Sequence, residues 1–431
     1  MLYRLLIILV CSSFLPGQSL FNRWVGTNPF TGSARSTAMG NTHLINSSGS
    51  STARFNPAKL ASLNSQLGFD IQIDRLSMFE RWSMPMQDSF GGFRAYGDYV
   101  ANEFSYYGFR GGLSFNTNIL SLGRAGLGVH YAPLVHFKYR YSEEVRGKKI
   151  IEDGELASKD PIVGYQNLSI DGSLMVSSLG GGIQLNALGD INLSLGGAIN
   201  FIQSTEISDR VAVDTLYSDV TNLSEYPDLH QTTNISESNF ITLSTKWKLN
   251  SNLIFSVSWE DSAQAKSDDF TWTIDSTSGL FHYWKDTSYV VTGMNYMKPE
   301  VFSLAFSFIS DLENKMSIDF EYNQVSYNGH LNLKDYKKYK FGFEYLTHNG
   351  TPIRGGLVYQ TAILPAMSPV SMFTFGTGKN IGNIIIDAAG TYCFQSFNYP
   401  DLFLVEDDIR PDYDLVRESQ LHLQLDLSYK F

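Results

Sequence analysis

The side chains able to do chemistry are few and scattered. Eight histidines are spread over 431 residues. The best pair for a shared metal, His130 and His136, shares a strand face but stands ~20 Å apart at ~3.3 Å per residue, too far to hold one ion. Glu406, Asp407, Asp408, Asp412 and Asp414 gather in "PDLFLVEDDIRPDYD" without the spacing of a calcium loop, which reads as a solvated acidic loop. Gly123, Gly126 and Gly128 in "GRAGLG" outline a dinucleotide loop, yet no helix follows, so the motif reads as a turn between strands. No enzyme, metal or cofactor is expected from these residues.

What remains is the chemistry of apolar binding. "LSMFERWSMPMQDSFGGF" offers Met78, Phe79, Trp82, Met84, Met86 and Phe90 in what reads as a long loop. Thioethers and rings suit a pliable site for flexible apolar chains, and the same residues equally suit an aromatic girdle at a membrane boundary. Weaker clusters are Trp272, Phe281, Tyr283 and Trp284, and then Leu364, Met367 and Met372.

The elements that position these residues are strands. In "SQLHLQLDLSYKF" Leu421, Leu423, Leu425, Leu427, Tyr429 and Phe431 alternate with His422, Gln424, Asp426, Ser428 and Lys430, the period of a strand with one apolar face. The pattern recurs at Phe69 to Asp74, Ile191 to Phe201, Leu253 to Trp259, Phe302 to Phe308, Met316 to Tyr322 and Tyr339 to Tyr345. Six short turns rich in Gly, Asn and Asp take turns with seven longer polar connections, which gives about fourteen strands. Short turns on one side and long loops on the other mark a transmembrane barrel. The phase places Leu425 toward lipid and Gln424 toward the lumen.

Composition agrees. Charged residues make up 17% of the chain and aromatics 14%, against ~25% charged in an ordinary soluble domain. A net charge of −11 argues against nucleic acid as a partner. "MLYRLLIILVCSSFLPGQS" reads as a secretory signal peptide, residues 1–19, with cleavage expected after Ser19. Only Cys393 then remains, so no intrachain disulfide is expected.

Two blocks before the first strand, "GSARSTAMGN" and "NPAKLA", carry a resemblance: Gly32, Ala34, Arg35, Met39 and Gly40, then Asn56, Pro57, Ala58 and Leu60. They resemble the amino-terminal signature of the FadL-type long-chain fatty-acid transporter superfamily, which includes hydrophobic-compound channels and the PorV/PorQ-like proteins of type IX secretion. The polar "NTHLINSSGSS" between the blocks departs from relatives, which often carry small apolar and acidic residues there. The resemblance implies an N-terminal hatch inside the barrel, with Met39, Phe55, Asn56, Pro57 and Ala58 at its gate and the Asn-Pro-Ala motif near a kink tied to ligand passage. Pro57 supplies part of the reason, since it fixes φ and donates no backbone hydrogen bond. A second reading is that the motif merely ends the plug and leads into the first strand.

The expected organisation is a signal peptide (1–19), a lumenal hatch (20–64) and an all-β barrel of about fourteen antiparallel strands (65–431). The expected place is the bacterial outer membrane, and the expected role is passive uptake of hydrophobic, fatty-acid-like molecules. The alternative is a barrel that binds or shuttles secreted proteins. Expected partners are hydrophobic small molecules, outer-membrane lipid and lipopolysaccharide, the insertion machinery that would read Phe431, and, in the alternative, secreted proteins.

Overall fold

The computed structural model describes residues 26, 32–119, 123–146, 162–188, 191–215, 229–267, 270–274, 287–291, 296–310, 316–328, 334–363, 368–399, 402 and 413–431. The expected signal peptide lies outside them, as do Phe281, Tyr283, Trp284, Leu364, Met367, Glu406, Asp407, Asp408 and Asp412.

Fourteen strands close into one antiparallel barrel. They are β1 (Leu67–Gln87), β2 (Phe93–Ile119), β3 (Gly123–Arg146), β4 (Ile162–Leu188), β5 (Ile191–Ile202), β8 (Ser238–Lys248), β9 (Leu253–Glu260), β14 (Glu300–Ile309), β15 (Met316–Ser326), β16 (Tyr336–Leu346), β17 (Pro352–Gln360), β18 (Val370–Ile381), β19 (Ile384–Tyr399) and β20 (Asp414–Lys430). Each pairs with the next, and β20 returns to β1 to close the ring. Six further strands stand on the long-connection side: β6 (Thr205–Thr215), β7 (Leu229–Ile235), β10 (Ala263–Ala265), β11 (Phe270–Ile274), β12 (Thr287–Val291) and β13 (Tyr296–Lys298). The β6–β7 hairpin continues the wall by pairing with the upper part of β4.

Alternation has the expected phase. Leu423, Leu425 and Leu427 are exposed on the outside, while Gln424 and Asp426 are buried within. The outward faces of β16 to β18 repeat this with Phe341, Leu357 and Phe375. Such a belt is stable only against hydrocarbon, and a closed ring leaves no unpaired strand edge in it. No described helix is long and apolar enough to cross a membrane.

Two expectations need correction. The stretch from Phe79 to Ala101 is not a long loop: β1 and β2 run through it as a tall hairpin whose turn is confined to Asp88 to Gly92. A membrane strand needs only ~10 residues, so the polar upper halves of these strands stand beyond the bilayer, where alternation carries no hydrophobic signal. "GRAGLG" is likewise not confined to a turn, since Gly123 opens β3 and Gly126 and Gly128 lie on the strand facing inward.

A fourteen-strand ring is too wide for its own side chains to fill. Residues 32–62 fill it with short helical pieces, Ala34–Ala38, His43–Asn46, Gly49–Ser51, Thr52–Phe55 and Pro57–Ser62. Helices this short are not stable alone. Their packing against the inner wall holds them.

Candidate functional site

The hatch is fastened by polar residues that the alternation points inward. Gln424 donates to the Gly32 carbonyl at 2.9 Å and accepts from the Thr37 hydroxyl at 2.9 Å. Thr374 accepts from the Gly40 N–H and donates to the Ala38 carbonyl, both at 2.8 Å. Glu321 accepts from the Leu44 N–H at 2.8 Å, and Asp319 accepts from the Asn46 amide at 2.6 Å. Asp70 holds both the N–H and the hydroxyl of Ser50, at 2.6 and 2.7 Å. In a buried setting each such group would be costly if unmatched, so the wall and the hatch specify each other's position.

Wall glycines let the two backbones touch. A Cβ at Gly182 or Gly196 would overlap Pro57 and Ala58, and one at Gly126 would overlap Leu60. Gly342 and Gly356 do the same for Met39 and Gly40. Sequence reasoning missed this seat. Its signal was present in "LGGGIQ" and "LGGAIN", where Gly182 and Gly196 occupy inward positions of alternating strands.

The expected gate residues all lie in the hatch, at separate seats along the wall. Met39 is fully buried against Gly342. Asn56 is buried at the bend, φ −150 and ψ 73, where its amide donates to the Leu44 carbonyl at 2.6 Å and to Ser256 at 3.1 Å. Pro57 opens the next short helix, and the Ala58 N–H donates to the Ser244 hydroxyl at 2.9 Å. Phe55 stacks on His43 with ring centroids 4.5 Å apart. Desolvation holds the His43 imidazole well below its ordinary pKa, and the positive charges of Lys340, Lys338, Arg110 and Arg54 act in the same direction. His43 is therefore a neutral partner of the Phe55 ring.

The expected binding cluster does not converge. Met78 and Trp82 point into the barrel and are buried, with Trp82 edge-on to Tyr141 and Tyr399 at 5.4 and 6.1 Å. Phe79 faces outward, Met84 is half-buried, Met86 is exposed, and Phe90 is 94% exposed at the hairpin turn. Of the weaker clusters, Trp272 lies on β11, and Met372 lines the lumenal cavity described next. Asp414 begins β20 and accepts from the Tyr99 hydroxyl at 2.7 Å.

A different set forms the upper lumen. Trp82, Phe137, Tyr139, Leu174, Ile202 and Phe240 belong to one buried apolar cluster above the hatch. Below it lies a cavity of about 200 Å³. Leu76, Tyr106, Leu134, Val301, Val325 and Val358 are among its walls, and His43, Arg54 and Phe55 form part of its floor. On the far side of the hatch a second cavity of about 380 Å³ is lined by Arg35, Lys59, Glu344, Arg354 and Asp387 among others. Among the described residues no group of three or more His, Cys, Asp or Glu is placed to hold a metal.

The wall beside the first of these cavities is split. β2 and β3 pair through nine positions, from Ile119↔Gly123 up to Gly111↔Tyr131, and then part. Above that point β2 remains paired to β1 and β3 to β4. The cause lies in "YAPLVHF". Pro133 has no N–H to donate, and the β3–β4 register shifts between Pro133 and Val135. Residues 132–137 are buried without alternation, so β3 steps inward from the wall here. Ring contacts between Tyr106 and His136 at 4.9 Å, and between Phe104 and Tyr139 at 6.1 Å, replace the missing ladder. The strands meet again where the Ser142 N–H reaches the Asn102 side chain at 3.3 Å.

Comparison with known proteins bears on the fold. No family model and no curated protein sequence matches the chain. Among solved structures, a FadL homologue from Pseudomonas aeruginosa has a TM-score of 0.60 at 13% identity, over 94% of this chain and 100% of that one. The Pseudomonas putida toluene transporter TodX gives 0.56 at 14% identity, over 93% and 98%. The monoaromatic hydrocarbon channel CymD gives 0.55 at 14%, over 95% and 98%. This chain therefore has the FadL-type fold, a fourteen-strand transmembrane barrel enclosing its own N-terminal hatch.

Proposed function

We propose that the protein is an outer-membrane channel for the passive uptake of hydrophobic small molecules. The observation that carries this reading is the cavity above a docked hatch, walled by apolar and charged side chains together, beside a wall that parts between β2 and β3. The outward residues of β20 are apolar from Leu421 to Tyr429, and Leu421 aligns with Ser77 and thence with Ser105 of β2. The lower end of the split, at Gly111, aligns through Ile71 with Leu427 and thus lies within the apolar belt. A molecule entering through the apolar upper lumen reaches the cavity and leaves sideways into the bilayer, while the hatch blocks the axial path to water. The three similar structures, a FadL homologue, a toluene transporter and a hydrocarbon channel, support the same substrate kind. They lend no support to the secretion-shuttle alternative.

The test is mass spectrometry of small molecules released from barrel gently extracted from its native membrane, beside a neighbouring barrel as control. Enrichment of apolar molecules is the expected result. Equal amounts in both, with a secreted protein bound in stoichiometric yield, would overturn the reading.

A further inference from the structure

We infer that Glu80 is the clasp of the β2–β3 opening: its buried carboxyl ties together the three strands that border the gap, and loss of a proton shared with Glu418 releases them. The inference rests on the channel reading and adds a control to the route proposed there.

The clasp stands at the upper rim of the gap. Glu80 of β1 accepts from the Asn102 amide of β2 at 3.2 Å and from the Tyr139 hydroxyl of β3 at 2.9 Å. Both bonds end on one oxygen, Oε2, so a single carboxyl reaches the two strands whose ladder is broken below it. Tyr139 is fully buried, and its edge contact with Phe104 is one of those that replace the ladder. The next outward pair along β1 and β20 is Arg81 and Arg417. This level therefore lies above the apolar belt.

Glu418 supplies the trigger. It stands directly opposite Glu80 in the β1–β20 ladder, and the two side chains, each 1% exposed, are within hydrogen-bond reach of one another. Two carboxyls in one dry site resist double ionisation, so the pair retains a proton beyond the ordinary carboxylate range. Burial pushes the Glu80 carboxyl up in the same sense, while hydrogen bonds led by that from Asn102 act against it. The other groups around the pair are Asn102 and Phe104 from β2, Trp82 beside it on β1, and Gln395 and the Cys393 thiol from β19. Tyr139 is held protonated by burial and by both carboxyls, and Tyr141 is engaged with Glu143 at 2.8 Å.

When the shared proton leaves, two negative charges face each other across one ladder position. The ladder continues on both sides of it, so the side chains part rather than the strands, and Glu80 lets go of Tyr139. A carboxyl whose pKa is raised in the clasped state stabilises that state in acid and loses the effect as pH rises through the raised value. The gap is thus narrow in acid and widens toward alkali.

Pulsed electron paramagnetic resonance tests this on the full barrel in nanodiscs, with spin labels at Ser105→Cys on β2 and Arg140→Cys on β3, both exposed. Heat-dependent gel mobility first shows each variant to be a closed barrel. From about pH 5 to about pH 8 the long-distance population of the wild type should grow relative to the short one, by up to about tenfold per pH unit, the limit for one proton. Glu80→Gln still accepts from Asn102 and Tyr139 but does not ionise, so it should stay short throughout, as should Glu418→Gln. Tyr139→Phe should show the long population at both ends of the range. A wild type that ignores pH, a Glu80→Gln that follows it, or a Tyr139→Phe that matches the wild type overturns the clasp and leaves the channel reading standing, because that reading is tested by the molecules extracted with the barrel. Absence of those molecules beside a wild-type distance that follows pH would sink the channel and keep the clasp.

Discussion

Two seams of the barrel behave differently although the same chain builds both. Where β20 meets β1 the ladder runs through sixteen positions from Gly68↔Lys430 to Ser83↔Leu415 without a shift. Where β2 meets β3 it runs through nine and stops. The closed seam has no proline within its paired residues. The split seam has Pro133 followed by a bulge, and rings stand in for hydrogen bonds above it. Closure is thus the default of alternating strands, and an opening needs residues that defeat the ladder.

The largest effect should come from charging the closed seam. Leu425→Arg, on its lipid face and 52% exposed, should cost roughly 2–4 kcal/mol of unfolding free energy near mid-membrane. Tyr107→Arg, outward on β2 near the belt's upper limit, should cost about 0–1 kcal/mol. Urea titrations of both in the same lipid check this, and equal losses would break the contrast between the seams.

Next in size is the hatch seat. Gly196→Val places a side chain against Pro57 and Ala58, an overpacking of about 1–3 kcal/mol. The seat, not the ring, should yield. Conductance in planar bilayers should rise while heat-dependent gel mobility stays that of a closed barrel. Unchanged conductance would mean that the hatch moves without opening an axial path.

Repairing the split should matter at a similar scale. Deleting Leu134 removes the extra residue between the two registers and lets β3 rejoin the wall. Flux of a hydrophobic probe through proteoliposomes should fall by about tenfold, which is ~1.4 kcal/mol in the barrier. A flux equal to wild type would exclude the β2–β3 opening as the route.

The smallest effect belongs to the ion chain below the hatch. Arg35 meets Glu344 at 2.8 Å, and Arg354 joins Glu344 at 2.6 Å and Asp387 at 2.5 Å. Arg35 is 38% exposed on its side chain, so screening limits its share, and Glu344→Gln should lower stability by about 0.5–1 kcal/mol. Hydrogen exchange of the Ala34–Ala38 amides should quicken modestly. A larger change would make this chain the main fastening of the hatch.

The sequence discloses the wall better than its contents. Alternation at Leu421 to Phe431 and its repeats give the strand phase, because one face meets hydrocarbon and the other does not. Above the bilayer both faces of β1 and β2 meet water or protein, so "ERWSMPMQ" reads as loop although it is strand. Asn56, Pro57 and Ala58 were legible as a site through a resemblance, but their partners Ser244, Ser256 and Gly196 are remote in sequence and were not. Gln424 shows the same limit. It reads as one more lumenal polar residue that would tolerate Arg, whereas it bonds to Gly32 and Thr37. Pro133 in an otherwise strand-like run was the one readable sign of the split.

The ring-closing contact between β20 and β1 also fixes an order of assembly. His422 meets Asp74 at 2.9 Å across a sequence separation of 348 residues, so the last ladder to form joins the most distant strands and pays the largest loop entropy. The hatch precedes β1 and must already lie among the inward Asp319, Glu321 and Asp426 when that ladder zips shut. Its polar contacts therefore act as a mould during biogenesis. A barrel whose hatch cannot seat would close around water or stall with two strand edges bare, an aggregation hazard long before any defect in transport.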